Sequence, residues 1–538
     1  MLRYNTPTMS DQGPPSFELR PARLALALGV GFAVFFAARW LPFQPGAQVL
    51  PARITAGVTA LTAACWLGAA LPIGAASLLP LALMPMLGAM PVKLIAPAYA
   101  HPIVWMFFGG FVLALGIERW GLHRRIALRI VQRAGVVPSR LILGFMAAAG
   151  FLSLWLNNTA TMLLLFPVLT ALVRGLRDTH AMSEKGHANF AYALLLGTAY
   201  ACSIGGIGTP IGTAPNALFL SQYDVFRKAG APAVTFVQWM AFGIPLVAVF
   251  IVLAWLVLTR LAAPQDHGSE HARVILEREA SKLPPVSPAE RRMAALFVAA
   301  AVLWVFRSDI ALGSLGTVPG WWRLTHVPDA EFIGDGAVAV LVALLAFVVP
   351  AGTRRGQALM DWQTAKGLPW DILLLIGGGI AIADSFTATG LAGAVGATLA
   401  PLAQSIPPFG MLVVVCLLMT FLTEVTSNTA ITALMLPVIA SMSSRAGVDP
   451  RIWMLGATIS ASCAFMLPIG TPPNAIAFGT GQIPITRMAR TGLWMNLAGV
   501  ALVSGWVWFV AAPVMGVDVH ARPGWNAGTA PSASSAHP

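Results

Sequence analysis

Two short phrases carry much of the polar chemistry in a very apolar chain. The first, Asn157-Asn158-Thr159, opens the run NNTATMLLLFP; the second, Ser427-Asn428-Thr429, opens SNTAITALMLP 270 residues later. Hydroxyls and carboxamides supply neutral donors and hard oxygen acceptors, and in hydrocarbon they are costly unless a partner compensates them. Each phrase is followed by a Gly-Thr-x-Pro-Asn turn, within Ile211–Asn216 and within Ile469–Asn474. Proline removes a backbone donor and clashes with the preceding turn, while glycine permits positive φ, so each turn predicts a broken helix. At membrane depth such a break is tolerated only where it lines a cavity or is buried in protein. Its half-helix N-terminus offers free N–H groups and about half a positive charge to an anion. Its exposed carbonyls, with Ser, Thr and Asn oxygens, suit a hard cation such as Na⁺. No Lys, Arg or His lies in either phrase or either turn. An anion bound there must rely on neutral donors, helix ends and co-bound cations, so its binding depends on cation occupancy.

The elements that hold these groups are read from composition. With 538 residues, 57% hydrophobic, 10% charged and a mean hydropathy of +0.75, the chain predicts an all-α polytopic membrane protein. Apolar runs such as Leu24–Leu41, Pro102–Ile117, Phe242–Leu258, Met293–Phe306, Val338–Pro350 and Leu493–Val514 are candidate spans. The net charge of +12 reads as topology and not as nucleic-acid binding. With the N-terminus in the cytoplasm, 23 of the 33 Lys and Arg fall in inner segments, including the cluster from Arg119 to Arg140. Four unpaired cysteines, Cys65, Cys202, Cys416 and Cys463, read as small buried hydrophobes.

The phrases belong to a longer repeat. FFGGFVLALG from Phe107 matches LIGGGIAIAD from Leu375, and GTPIGTAPNAL from Gly208 matches MLPIGTPPNAI from Met466, in the same order. Leu141–Leu156 and Ala160–Leu172 are each too short to span, and Phe409–Thr426 with Ala430–Met442 take the matching place in the second half. Each pair predicts a re-entrant hairpin, the first flanked by Arg140, Arg174 and Arg177 and entering from inside, the second from outside. The expected plan is about 11 transmembrane helices: a disordered cytoplasmic segment over 1–23, a first helix at 24–42, and a first inverted repeat over 53–260 with its hairpin at about 140–173. A cytoplasmic loop follows over 261–292, then a second repeat over 293–515 with its hairpin at about 409–442, and a disordered tail over 516–538. The N-terminus then faces the cytoplasm and the C-terminus the exterior. Inverted repeats of this kind build many secondary transporters.

Plainer readings compete. Ser, Thr and Asn also cement helix packing, and paired glycines allow close approach, the favoured reading for Gly109–Gly110 and Gly377–Gly378. Glu424, beside the second phrase, either acts in the site or braces the hairpin; Glu118 reads as a salt bridge to the neighbouring arginines; Asp384 has no evident partner. No pair of carboxylates, metal-ligand cluster or nucleophile–base pair lies at membrane depth, which disfavours an intramembrane enzyme. A channel would need a continuous polar pore.

These residues resemble the divalent anion/sodium symporter family, whose bacterial members import C4-dicarboxylates. The family pattern, Ser-Asn-Thr at two hairpin tips and a Gly-x-Pro-Pro-Asn-like turn after each, is met closely by Ser427-Asn428-Thr429 with Gly470-Thr471-Pro472-Pro473-Asn474. The first half departs at Asn157 and Ala214. The resemblance implies one sodium site at Ser153, Asn157, Asn158 and Gly212 and a second at Thr423, Thr426, Asn428 and Gly470. It implies substrate contacts from Asn158, Thr159, Thr213, Ser427, Asn428, Thr429 and Thr471, no cofactor beyond Na⁺ as coupling ion, a homodimer in the cytoplasmic (inner) membrane, and elevator-type alternating access. The function expected is Na⁺-coupled symport of succinate, malate or fumarate, with a sulfate-type symporter or a dicarboxylate exchanger as alternatives.

Overall fold

The computed structural model describes residues 20–43, 49–179, 182–262, 269–311 and 316–525. Helices of seven residues or more run in the order α1 (Pro21–Ala37), α2 (Val49–Gly68), α3 (Leu79–Met86), α4 (Pro102–Arg119), α5 (Leu122–Ala134), α6 (Pro138–Ser153), α7 (Asn158–Asp178), α8 (Glu184–Gly205), α9 (Ala214–Lys228) and α10 (Phe236–Ala262). They continue with α11 (Ser269–Ser281), α12 (Pro288–Val305), α13 (Ala330–Val348), α14 (Trp370–Ala388), α15 (Leu391–Ser405), α16 (Pro408–Thr423), α17 (Asn428–Ala446), α18 (Pro450–Ser460), α19 (Pro472–Phe478) and α20 (Ile485–Trp506). The described β-structure is one two-stranded antiparallel ribbon, Ile310–Ala311 with Thr317–Val318. Ten of the described helical segments are long and apolar enough to cross a membrane, or eleven if the pair α15–α16, bent by 119°, counts as one span. The chain is an all-α polytopic membrane protein.

The repeat is visible in how the helices begin and end. Gly121 and Gly390 both sit in the left-handed region, φ 72° and 76°, at the N-caps of α5 and α15. At a non-glycine residue that conformation would be strained. Pro138 and Pro408 open α6 and α16, where a missing N–H costs nothing. Pro167 and Pro437 both lie inside the second limbs, α7 and α17. Those limbs are longer than the apolar runs foretold: α7 has 21 residues and α17 has 19, each long enough to cross. The helix continues past the hydrophobic stretch through Arg174 and Arg177 in α7, and through Ser441–Arg445 in α17, where polarity hid it. The loop expected over 261–292 likewise contains α11 and the start of α12. Of the two segments expected to be disordered, 1–19 and 526–538 lie outside the described residues. Pro21–Arg23 already belong to α1, and residues 516–525 pack back on the protein, with Val517 buried and Trp525 edge-on to Phe226.

Two sets of helices result. α8 packs against α6, α7, α10 and α19, while α17 packs against α9 and α18, and α16 against α18 and α20. The other set pairs α1 with α2, α4 with α13, and α12 with α13, and α14 touches both sets. Three of the four paired glycines serve close approach: a Cβ on Gly109 would lie 2.4 Å from Ala339 O, one on Gly377 2.7 Å from Tyr99 Cδ1, and one on Gly378 2.6 Å from Ser77 O, whereas one on Gly110 would meet Ile211 only at 3.6 Å. Gly109→Val is therefore expected to force α4 off α13 and cost about 1–3 kcal/mol. Thermal unfolding in detergent checks it, and an unchanged midpoint would refute the tight approach.

Candidate functional site

In the first hairpin, α6 ends at Ser153 and α7 starts at Asn158. The buried Ser153 Oγ lies 2.8 Å from Asn158 Oδ1 and 2.6 Å from the Cys202 carbonyl oxygen. A hydroxyl has one proton to give and here faces two acceptors, so three oxygens converge with too few protons between them. Gly206 and Gly212 close the cluster: a Cβ on Gly206 would stand 2.7 Å from Asn158 Oδ1 and 3.2 Å from Gly212 O. The second half repeats the arrangement. Thr423 Oγ1 lies 2.6 Å from Asn428 Oδ1 and 2.8 Å from the Ala461 carbonyl. A Cβ on Gly470 would stand 3.2 Å from the Glu424 carbonyl oxygen. Thr426 Oγ1 donates to Leu422 O at 2.7 Å, which keeps its lone pairs as acceptors. Oxygen clusters of this kind match what a hard cation takes. The Cys202 and Ala461 carbonyls carried no sequence signal, since any residue supplies a carbonyl. Given one of them, only the repeat could have located the other.

The broken turns are built alike. Thr213 caps α9 with φ −149° and ψ 148°, and Thr471 caps α19 with φ −153° and ψ 143°. Ala214 in place of a proline leaves this geometry intact, because Pro215 still occupies the first turn. Behind each cap an asparagine clasps the loop. Asn216 Nδ2 donates to Gly206 O (3.0 Å) and Thr209 O (2.7 Å), and Asn474 Nδ2 donates to Ala464 O (2.9 Å) and Leu467 O (3.3 Å). These loop carbonyls, expected to be exposed and available to a cation, are thus partly engaged. The halves differ in how the loop is tied to the hairpin. Glu424, buried at the C-cap of α16, accepts the backbone N–H groups of Phe465 (2.7 Å), Met466 (2.8 Å) and Leu467 (2.9 Å) and the Asn496 amide (2.8 Å). In the first half Leu154 holds that place, and Thr209 Oγ1 donates to its carbonyl. Bracing is the role that Glu424 visibly has.

Some hydroxyls in these helices are satisfied locally, as when Thr62, Thr198 and Thr458 donate to the carbonyl four residues back, while the buried hydroxyls of Thr161, Ser203 and Thr420 have no partner among the described residues. Most of those at the tips and caps are also unpartnered. Thr159, Thr213, Ser427, Thr429 and Thr471 make no side-chain hydrogen bond among the described residues; Thr471 is buried and the other four are half-buried. They are free to serve a ligand. Packing is crossed between the halves: α7 lies against α19 and α17 against α9. The second limb of each hairpin therefore meets the broken helix of the other repeat. Asn157 Oδ1 caps α7, accepting from the Ala160 N–H at 2.9 Å.

The remaining candidates resolve as structural or stay apart. Glu118 is exposed and makes no ion pair among the described residues; Arg119 pairs with Asp361 (2.5 Å) and Arg125 with Glu290 (2.5 Å) instead. Asp384 forms no hydrogen bond or ion pair among the described residues. All four cysteines are buried and free, as expected.

Comparison with known proteins agrees with this architecture. Residues 23–514 match the family described as the sodium:sulfate symporter transmembrane region, nearly the stretch that the sequence landmarks delimit. The sodium-dependent dicarboxylate transporter SdcS of Staphylococcus saprophyticus is 35% identical over 490 residues, covering 90% of this chain and 91% of that protein. Its namesake from Staphylococcus aureus is 35% identical over 491 residues, 90% of each. Among solved structures, the YdaH transporter of Alcanivorax borkumensis aligns with a TM-score of 0.52 at 14% identity, over 91% of this chain and 97% of that one, a likeness of fold. With a family match over almost its whole length and relatives 35% identical over nine tenths of theirs, this chain belongs to the sodium:sulfate (divalent anion/sodium) symporter family of membrane transporters.

Proposed function

We propose that this protein is a Na⁺-coupled importer of a small divalent anion, a C4-dicarboxylate of the succinate, malate or fumarate type. One observation carries the reading: two pseudo-symmetric oxygen clusters, Ser153–Asn158–Cys202 O and Thr423–Asn428–Ala461 O, sit beside five hydroxyls that have no partner among the described residues. Na⁺ bound in the clusters supplies the positive charge that the site's side chains lack. The hydroxyls of Thr159, Thr213, Ser427, Thr429 and Thr471, with the carboxamides of Asn158 and Asn428, donate to the two carboxylates. The same asparagines face cation and anion, so occupancy by one favours the other, which is the free-energy coupling symport needs. The names of the 35%-identical relatives point to the same ion and substrate class.

The division into two helix sets supports alternating access by movement of the hairpin-bearing set against the α4–α13 set. A homodimer in the cytoplasmic membrane, with N-terminus inside and C-terminus outside, completes the proposal on kinship and on the Lys/Arg bias. The test is uptake of labelled succinate into proteoliposomes. Several-fold accumulation is expected under an inward Na⁺ gradient and little without it; equal uptake in both would overturn coupling. Excess sulfate is expected to leave succinate uptake intact, whereas full competition would move the substrate to the sulfate class.

A further inference from the structure

The span that ends in α4 is complete at Arg119 and the first hairpin begins at Pro138, so α5 lies at the membrane surface between them. With 13 residues it is too short to span. It is amphipathic: Leu122, Ala127, Leu128 and Val131 are buried, while Arg124, Arg129 and Arg133 are exposed. A helix of this kind rests at the level of the lipid headgroups. None of the three arginines makes a hydrogen bond or an ion pair among the described residues. The acids of α11, which packs against α5, are taken elsewhere, Glu270 and Glu277 by Arg273 and Glu279 by Lys282. Nor does the packing require the charge: α15, the counterpart in the second repeat, opens on the same left-handed glycine and carries no charged residue. Beside α5 runs a small, partly open groove with almost wholly apolar walls, among them Leu128 and Val131 of α5, Phe145 of α6, and Leu165 and Val168 of α7. Arg124 lines the same groove and is exposed. An apolar slot bordered by an unpaired cation offers the two halves of what a phospholipid needs.

We propose that this groove binds an anionic phospholipid: an acyl chain lies in the slot between α5 and the first hairpin, and the Arg124 guanidinium pairs with the headgroup phosphate. Arg129 and Arg133 add positive field at the same surface, which favours a headgroup of net negative charge over a zwitterionic one. The lipid then joins α5 to both limbs of the hairpin, since Phe145 belongs to α6 and Val168 to α7. The site is distinct from the oxygen clusters. It rests on the membrane placement of the chain and not on its substrate or coupling ion.

The experiment titrates the purified full chain in detergent with dioleoyl-phosphatidylglycerol and, separately, with dioleoyl-phosphatidylcholine, and counts bound lipid by native mass spectrometry. The wild type is expected to hold one phosphatidylglycerol about tenfold more tightly than phosphatidylcholine, or better. Arg124→Gln should weaken that binding about fivefold, the worth of one arginine beside an anionic headgroup. The triple change Arg124→Gln, Arg129→Gln and Arg133→Gln should bring it down to the phosphatidylcholine level. These side chains are exposed and unpaired, so the fold should survive their loss. Val168→Phe fills the groove and leaves every charge in place, and it should weaken phosphatidylglycerol at least as much as Arg124→Gln does. If Val168→Phe lowers the unfolding temperature, Val168→Met takes its place. Equal affinity of the wild type for the two lipids would overturn the proposal, as would unchanged binding in Arg124→Gln. Full binding in the groove-filled variant would reduce the site to a diffuse basic surface and overturn it too. Inorganic phosphate should not displace the lipid; complete displacement would make this a site for a free anion, against the proposal.

Discussion

Asn428→Ala is expected to lower Na⁺-driven dicarboxylate uptake by about a hundredfold, the loss of two charge-assisted contacts at roughly tenfold each. Its Oδ1 stands 2.6 Å from Thr423 Oγ1 in the oxygen cluster completed by Ala461 O, and the same carboxamide faces the site beside Ser427 and Thr429. The change removes a cation ligand and an anion donor together. Folding should suffer little. Asn428 is the first residue of α17 and the Thr432 hydroxyl bonds its backbone carbonyl, so no side-chain cap is lost. A destabilisation within about 1 kcal/mol is expected. Uptake by the purified mutant, measured beside its unfolding temperature, separates the two effects. Robust uptake would refute the assignment, and a collapse in stability would make the defect structural. Asn158→Ala should behave alike, since it occupies the same place opposite Ser153 and Cys202.

Glu424→Leu is expected to be the most destabilising single change near the site. It would strip acceptors from three consecutive N–H groups, one on buried Phe465 and two on half-buried Met466 and Leu467, and from the buried Asn496 amide. At about 1–3 kcal/mol per buried unsatisfied group, the two fully buried residues, Phe465 and Asn496, put the cost on the order of 2–6 kcal/mol. The reverse comparison is built into the protein, because Leu154 serves at the matching step of the first hairpin, where Thr209 supplies the link. Glu424→Gln should be milder. Its oxygen can keep the Phe465 and Met466 N–H groups, while its amide then faces the Leu467 N–H with no acceptor. Thermal unfolding and uptake are the readouts: wild-type stability in Glu424→Leu would show that the loop does not depend on this brace.

Much of the architecture was legible because the chain writes it twice. The hairpin tips, the broken turns and the glycine pairs each carry residue types whose backbone or packing consequences are local, and two copies in the same order fixed their correspondence. What escaped was decided by three-dimensional neighbours. The Cys202 and Ala461 carbonyls joined the clusters through folding alone. The limbs α7 and α17 outran their apolar runs because helix geometry continues where hydrophobicity stops, as at Arg177 and Ser444. Ion pairing near Arg119 went to Asp361, far away in sequence, and bypassed the adjacent Glu118. Asn157 departs from the family's serine, and only the structure shows its Oδ1 accepting from the Ala160 N–H to cap α7.

The central claim is that the two repeats jointly hold one dianion between two cation sites made of uncharged groups. A cryo-EM structure of the full chain with Na⁺ and succinate tests it most directly. The account predicts ion density among Ser153, Asn158 and Cys202 O and among Thr423, Asn428 and Ala461 O, with succinate touching both Thr159 and Thr429. Succinate seated away from one of the hairpin tips, or held by a lysine or arginine, would contradict it.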